Sequence, residues 1–433
     1  MKKFLIMMLI TFIFVTILCL QGFASTKTIT YLTPETDPSS VKVDNYIINK
    51  FEEAHPGVKV NITHANIDDL LPKLATQLKA GTAPDVAFFS PRYVAGLVGQ
   101  GFLLPLGDLF EDIGDINRKF VTKVSDGKIY DIANSSENQL LYYRTDLFEK
   151  AGIKPPTNFN ELLEAAKALT LDTNGDGNID QYGISMVGGM PENYIHFTNF
   201  LWANGGDYFD KNNNVVIDSP QAIEALNFLG KLSQFAPPSM INDGWTDVMT
   251  EFSSELSAMC TCYGRILSTI SKYNPEISTK IDLIPTPVGP SGTKPFYRSC
   301  LNIFVVFSGT KYPDIAKEFI KFYMSGDQYL KFLTSAVAGH DLPVRNSWLN
   351  NPSYFEYPEI KSYEGLIKKT MDLSPKYGFD FTTRFDTVNP YLGEALSDPI
   401  LATEINKFFH HDVTAEQALK NVADAWRKRF DIK

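Results

Sequence analysis

The fold is decided by residues 28–89, in which strand and helix signals alternate. TITYL at 28–32 and VKVNI at 58–62 are rich in β-branched residues and alternate in polarity, which predicts two strands. Between them, VKVDNYIINKFEE at 41–53 has helical apolar spacing. VAFF at 86–89 is a short apolar run typical of a buried parallel strand. This order predicts an α/β fold on a mostly parallel sheet.

The helical pattern continues along the rest of the chain. Further helices are predicted at 68–80, 159–169, 221–235, 313–324, 327–335 and 415–430. At ~100–200 residues per domain, 433 residues suggest two or three domains, or one large two-lobed body.

The composition is that of an ordinary globular protein, with 44% hydrophobic and 21% charged residues. The formal net charge is −10 and the sequence has no Lys/Arg-rich block, so we expect no nucleic-acid partner. Aromatic residues make up 13%, which suits both a core and stacking against flat sugar faces.

The N-terminus has the pattern of a secretory signal. Lys2 and Lys3 precede an apolar run that ends at Leu20, and a small-x-small triplet ends at Ala24. The sequence therefore predicts a signal peptide over residues 1–24 and a periplasmic or extracytoplasmic location. An uncleaved anchor is one alternative, because the apolar run is nearly long enough to span a bilayer. A lipid anchor on Cys19 is the other, although no small residue stands immediately before this cysteine.

Three cysteines remain beyond the signal segment, namely Cys260, Cys262 and Cys300. An odd number excludes a complete disulfide framework, and no fourth zinc ligand is evident. We expect buried thiols beside a strand. A single bridge from Cys300 to one of the other two is the alternative.

The sequence lacks the common catalytic motifs. It has no Gly-x-Ser-x-Gly, no phosphate-binding Walker loop and no His-Glu-x-x-His. We therefore predict no catalytic residue and no required cofactor. A secreted carbohydrate-active enzyme remains the alternative class, which product formation would reveal.

The segment 172–180 has the pattern of a calcium loop, with side-chain oxygens at positions 1, 3, 5 and 9 and glycine at position 6. The candidate ligands are Asp172, Asn174, Asp176, Asn178 and Asp180. The twelfth position is Gly183 in place of a bidentate glutamate, so this is not an EF-hand. A structural calcium ion and a plain Asn/Asp/Gly turn are both open.

Four blocks of sequence, in order, carry a family resemblance. They are the AGTAPDVAFFSPRY block at 80–106, the LLYYRTDLFEKAGIKPP block at 140–170, SAMCTCYGR at 257–265, and a block from Ile-Pro to Leu-Pro-Val at 284–344. Together they resemble the extracellular solute-binding proteins of ABC transporters, in the carbohydrate-binding group that includes maltose-binding protein.

The resemblance implies a two-lobed periplasmic-binding-protein fold, with hinge strands and an interlobe cleft between two α/β lobes. Matching the blocks gives 25–132 and 285–342 for lobe one, 133–284 and 343–433 for lobe two, and hinge crossings near 131–135, 282–285 and 341–345.

The resemblance also implies the function. The protein would act as a monomer, capture a mono- or oligosaccharide by hinge closure, and deliver it to the transmembrane subunits of an ABC permease. A binding protein that feeds a sensor kinase is the alternative partner arrangement.

Candidate ligand contacts lie in loops at the carboxyl ends of the predicted strands, where open parallel sheets bind ligands. The family places contacts after the first and third strands, and polar residues follow the second. These candidates are Glu35, Asp37, Asn66, Ser90 and Arg92.

Further candidates match other ligand positions of the family. Glu137 matches a sugar-binding acid, Tyr194 and His196 stand where a stacking aromatic is expected, and Phe385 matches another aromatic position. Trp245 stands in a polar Asn-Asp-Gly setting and is a candidate stacking platform.

Departures from the family pattern add arginines. The third block usually ends Gly-x-Trp, but here Tyr263 is followed by Gly and Arg265. Arg298 stands where the family often has Gly-Gly, and Arg384 precedes the aromatic position. Because Arg binds carboxylate or phosphate in a bidentate manner, these residues predict an acidic sugar derivative. The alternative is that they pair with Asp or Glu and that the ligand is neutral.

Overall fold

The computed structural model describes residues 26–335 and 339–432. The predictions made for the signal peptide and for Cys19 lie outside these residues.

Ten β-strands are described in this part of the chain. They are β1 (Lys27–Thr33), β2 (Val58–His64), β3 (Val86–Phe89), β4 (Ile132–Asn138), β5 (Leu140–Arg144), β6 (Met259–Cys262), β7 (Ile281–Ile284), β8 (Tyr297–Val306), β9 (Leu342–Pro343) and β10 (Gly378–Phe379).

Eighteen α-helices are described within the same ranges. They are α1 (Pro38–Ala54), α2 (Ile67–Ala80), α3 (Val94–Gly99), α4 (Gly107–Ile113), α5 (Thr145–Ala151), α6 (Phe159–Ala168), α7 (Asn193–Ala203), α8 (Pro220–Leu232), α9 (Trp245–Ser253), α10 (Arg265–Tyr273), α11 (Pro313–Tyr323), α12 (Gly326–Ser335), α13 (Pro352–Phe355), α14 (Pro358–Lys361), α15 (Glu364–Tyr377), α16 (Leu392–Ser397), α17 (Ile400–Phe409) and α18 (Ala415–Phe430). None of these described helices combines the length and apolarity that a membrane crossing requires.

The larger sheet has the strand order β2-β1-β3-β8-β4-β9, and β10 pairs with the beginning of β8. The three strands of the opening segment are parallel to one another, as predicted. β8 is antiparallel to both β3 and β4, which places a late segment of the chain in the middle of this sheet.

The smaller sheet has the order β6-β5-β7 and is antiparallel. The chain passes from the larger to the smaller sheet at Gln139, between β4 and β5, and the Gln139 backbone N–H donates to the Arg298 carbonyl at 3.0 Å. One sheet lies at the centre of each lobe, which confirms the two-lobed α/β fold. The residue boundaries of the lobes stay a prediction.

Helix α1 illustrates why the sequence pattern was informative. Val43, Ile47 and Phe51 recur on one face, and all three are buried. The Phe51 ring lies 5.2 Å from that of Phe319, on α11. The apolar face of α1 is therefore fixed by aromatic packing, which contributes more stability than helix propensity does.

The three cysteines are free thiols, as the residue pattern predicted, and the alternative of a single bridge is wrong. Cys260 and Cys262 are buried in β6. Burial raises the pKa of the Cys300 thiol to about 12, so it is uncharged at neutral pH.

Candidate functional site

A cavity of about 920 Å³ lies between two walls of the molecule. One wall is formed within residues 72–102, and the other by residues from 191–195 and 390–397. With the predicted boundaries, the first wall belongs to lobe one and the second to lobe two. The Tyr93 hydroxyl lies 3.3 Å from Ser397 Oγ, so the walls touch directly and the cleft is closed at this point. The volume falls within the range of small-molecule sites.

Arg92 lies on the first wall, in a short 3-10 turn that follows β3. Its Nη1 donates to the Tyr194 hydroxyl at 2.9 Å, which joins the two walls. The guanidinium also lies 4.9 Å from the centre of the Tyr93 ring. Arg92 Nε and Ser90 Oγ are both buried and have no hydrogen-bond partner among the described residues.

Arg298 lies at the start of β8 and is only 3% exposed. Its backbone N–H donates to Asn199 Oδ1 at 2.7 Å, which ties the strand to α7. Its side chain donates to the Tyr263 hydroxyl at 2.5 Å and to Cys300 Sγ at 3.2 Å. Burial opposes the charged form of Arg92 and the tyrosines Tyr194 and Tyr93 favour it, while the charge of Arg298 also opposes it. The pKa of Arg92 is raised overall.

The aromatic candidates fall into two groups. Tyr194 is at the cavity, and Trp245 is half-buried with its ring 5.0 Å from that of Tyr263. His196 is completely buried, and its ring lies 6.4 Å from that of Trp245. Burial lowers the pKa of His196 to about 3, so the ring is neutral and packs within the lobe.

The acidic candidates gather with residues near the third predicted hinge crossing. Glu137 Oε1 accepts from Asn302 Nδ2 at 2.7 Å, and Glu137 Oε2 lies 3.5 Å from His340 Nε2. Burial, followed by the charges of Asp341 and Glu137, raises the pKa of Glu35 from 4.5 to about 8. Glu35 is therefore mostly protonated at neutral pH, because an isolated carboxyl in a poorly solvated site takes up a proton.

Asp37 and Arg265 connect the two predicted lobes. Arg265 Nη1 lies 3.4 Å from Asp37 Oδ2, and Asp37 stands at the N-cap position of α1 without a side-chain capping hydrogen bond. Both side chains are more than a third exposed, so the ion pair is weak. Asn66 is exposed in the loop after β2.

Arg384 and Phe385 are placed together but apart from this group. Arg384 Nε pairs with Asp207, and its guanidinium lies over the rings of Trp202 and Phe296. Phe385 contacts the same guanidinium at 5.8 Å. No contact of either residue with the arginines of the cleft is seen in the described part of the chain.

The loop 172–180 is held by its own hydrogen bonds. Asp172 accepts from the backbone of Gly175 and Gly177, and Asp180 accepts from Thr173 and Asn174. Within the described ranges, no group of three or more His, Cys, Asp or Glu side chains is arranged to hold a metal ion. The calcium site at this loop stays a prediction, as does the plain turn.

Several residues of the cleft were missed by sequence reasoning. His340 and Asp341 lie beside the predicted third crossing, which was the available signal. Asn302 and Cys300 lie inside β8. No local pattern indicated them, because nothing in the sequence showed that this strand pairs with the strand that carries Glu137.

Comparison with known proteins defines the class. The family described as bacterial extracellular solute-binding protein matches residues 37–329, and the chain belongs to that family. Members of this family are binding proteins that serve ABC sugar transporters, which confirms the resemblance found from the sequence.

Individual relatives are distant but similar along most of their length. The arabinooligosaccharide-binding protein of Halalkalibacterium halodurans is 23% identical over 82% of this chain and 79% of its own. The diacetylchitobiose-binding protein of Streptomyces coelicolor is 24% identical over 71% of each. A maltose-bound structure from T. maritima has a TM-score of 0.74 at 23% identity, covering 92% of this chain and 98% of that one. This last similarity concerns the fold.

Proposed function

We propose that this protein captures a saccharide in the cleft between its lobes and delivers it to the transmembrane subunits of an ABC permease. The observation that carries the proposal is the cavity of about 920 Å³, which is lined by both walls and joined across by the Arg92–Tyr194 hydrogen bond. Aromatic rings and polar groups converge there, as sugar recognition requires.

The proposed mechanism is hinge closure without a chemical step. An open form admits the ligand, and contacts that span both walls then favour the closed form. The family supports an extracytoplasmic location, where such a receptor presents its closed form to the permease. A monomer is sufficient for this cycle, since both walls come from one chain.

Gly393 offers a direct test of closure. A β-carbon on this residue would lie 2.6 Å from Tyr93 Cδ1 and 2.8 Å from the Arg92 carbonyl oxygen, across the cleft. Gly393→Ala should therefore hold the walls apart. Gly365→Ala is the matched control, because a β-carbon on that helical glycine meets nothing within 4 Å.

The experiment uses refolded, ligand-stripped protein screened by thermal shift against neutral and acidic saccharides. A ligand at 100 times its Kd should add about 2.7 kcal/mol of stability. Small-angle scattering should then show a smaller radius of gyration with ligand in the wild type and in Gly365→Ala, and little or no decrease in Gly393→Ala. The absence of binding to any saccharide would contradict the proposal.

The same incubations distinguish a receptor from an enzyme. We expect each saccharide to be recovered intact after long incubation with stoichiometric protein. Steady formation of products would favour the carbohydrate-active enzyme. A protein that binds and closes but does not stimulate the ATPase of its reconstituted permease would favour the sensor-kinase arrangement.

We also propose that the loop 172–180 keeps its shape without a metal ion, because its carboxylates already accept hydrogen bonds from the loop itself. Removal of calcium by a chelator should leave the melting temperature unchanged. A rise on adding calcium that is lost in Asp176→Ala would show instead that the loop binds calcium.

A further inference from the structure

The arginines of this protein divide into two groups. The sequence has nine, all in the described part of the chain, and seven of them lie within 4.0 Å of a carboxylate oxygen. The paired residues are Arg118, Arg144, Arg265, Arg345, Arg384, Arg427 and Arg429. Within the described residues, Arg92 and Arg298 have no such ion pair. Arg92 lines the cavity, and Arg298 is buried close enough for its charge to act on Arg92.

Arg298 is surrounded by neutral acceptors. Its two donor contacts are the Tyr263 hydroxyl and the Cys300 thiol, and Nε is buried without a partner among the described residues. The acidic neighbour is Asp380, beyond ion-pair distance. The Asp380 oxygens already accept from the Leu301 backbone and from Thr382.

Arg92 also has no carboxylate partner among the described residues. It donates to the neutral Tyr194 hydroxyl and lies over the Tyr93 ring, and its Nε is buried without a partner within the described ranges. It borders the cavity of about 920 Å³. The positive charge of Arg298 opposes the charged form of Arg92.

An uncompensated guanidinium in a buried site is unfavourable, because the charged form loses hydration and gains no ion pair. Arginine cannot relieve this by losing its proton at physiological pH. An incoming anionic oxygen group would supply the missing partner, and guanidinium groups bind carboxylate and phosphate in a directional, bidentate manner.

We propose that the ligand carries an anionic oxygen group, a carboxylate or a phosphate, which Arg92 binds in the closed cleft and the buried charge of Arg298 attracts. This deepens and rests on the proposed function, since it names the chemical class of the captured saccharide. A neutral saccharide would leave both guanidinium groups without a carboxylate or phosphate at ion-pair distance, as they are among the described residues.

The test compares each neutral sugar with its own anionic derivative on ligand-stripped protein. Glucose is paired with glucuronate and with glucose 6-phosphate, galactose with galacturonate, and a neutral disaccharide with its uronate counterpart. Calorimetry should show the anionic member binding about tenfold or more tightly, as expected for hydrogen bonds to charged groups. A preference for uronates or for sugar phosphates tells which anionic group is used, and either supports the proposal.

Variants assign the preference to the two arginines. Arg92→Gln and Arg298→Gln should each lose most of the preference while retaining weak binding of the neutral sugar, and Arg298→Lys should keep part of it. Arg427→Gln is the matched control, because Arg427 lies on α18, pairs with Asp218 and does not line the cavity. If Arg298→Gln does not fold, the preference for the anionic sugar measured with Arg92→Gln tests the proposal by itself.

The outcomes separate the two proposals. Neutral sugars that bind as tightly as their anionic counterparts, or a preference unchanged in Arg92→Gln, would overturn the anionic assignment and leave the receptor function standing. No binding by any neutral or anionic saccharide would overturn the receptor function, and the anionic assignment with it.

Discussion

Arg298 is buried at the start of β8 and Arg384 is partly buried nearby, and each lies over an aromatic ring. Arg384 pairs with Asp207, whereas Arg298 meets a tyrosine hydroxyl and a thiol. The charge of Arg384 is balanced by a carboxylate of the protein itself. The surroundings of Arg298 include no carboxylate within ion-pair distance in the described part of the chain, and this difference separates a structural arginine from one whose charge is available to a ligand.

The carboxyl group of Glu35 responds to its surroundings differently from a buried arginine. Glu35 also forms no ion pair with a described basic side chain, and burial with neighbouring carboxylates raises its pKa to about 8. A carboxyl group can take up a proton and become neutral, but a guanidinium stays charged at any physiological pH. An unpaired buried arginine is therefore the more informative of the two.

The largest effect is expected at the paired arginine. Arg384→Met should reduce the free energy of unfolding by about 3 kcal/mol, because it leaves the Asp207 carboxylate buried without its partner. Urea unfolding of ligand-free protein measures this. The double variant Arg384→Met/Asp207→Leu should recover much of the loss. A cost below about 1 kcal/mol for the single variant would remove the contrast with Arg298.

A pH-dependent effect is expected at Glu35. Its pKa in the folded protein is raised, so the stabilisation that comes with its protonated form is complete below pH 4.5 and is lost as the pH rises through about 8. Glu35→Gln stays neutral. It should match the wild type near pH 4.5 and melt a few degrees higher above pH 8. A difference that is constant between pH 5 and pH 9 would contradict this.

A smaller effect on stability is expected at the unpaired arginine. Arg298→Met should change the free energy of unfolding of ligand-free protein by less than about 1 kcal/mol, because replacing an uncompensated buried charge by an apolar side chain is close to neutral. The same urea titration applies. A loss as large as that of Arg384→Met would mean that Arg298 is a structural residue.

The smallest effect is expected for the ion pair between Asp37 and Arg265. Both side chains are more than a third exposed, so a double-mutant cycle with Asp37→Ala and Arg265→Ala should give a coupling of about 0.2–1 kcal/mol. Ligand affinity is the readout, since the pair spans the two predicted lobes. A coupling of several kcal/mol would make this pair, in place of the ligand, the main force that closes the cleft.

Local patterns predicted the fold well in its first half. The alternation of strands and helices over 28–89 gave the parallel strands. The apolar spacing over 41–53 gave the central part of α1, which spans Pro38–Ala54. The pattern did not reveal that β8 inserts between β3 and β4. That pairing joins segments far apart in the sequence, and no local signal encodes it.

The sequence predicted which loops would form the site, but not which side chains would pair with one another. Arg298, Arg384 and Arg265 looked alike in the sequence. Only the tertiary structure brings Asp207 to Arg384, across 177 positions of sequence, and leaves Arg298 with no described carboxylate at ion-pair distance. His196 was predicted from its position in the chain, but it lies on a fully buried face of α7.

The most direct test is a crystal structure of the protein bound to the anionic sugar that calorimetry ranks tightest. The account predicts that a carboxylate or phosphate oxygen lies within about 3 Å of a guanidinium nitrogen of Arg92 or Arg298, a normal distance for a charge-assisted hydrogen bond. A ligand whose charged group points to solvent or contacts other residues, with both guanidinium groups still unpaired, would contradict it.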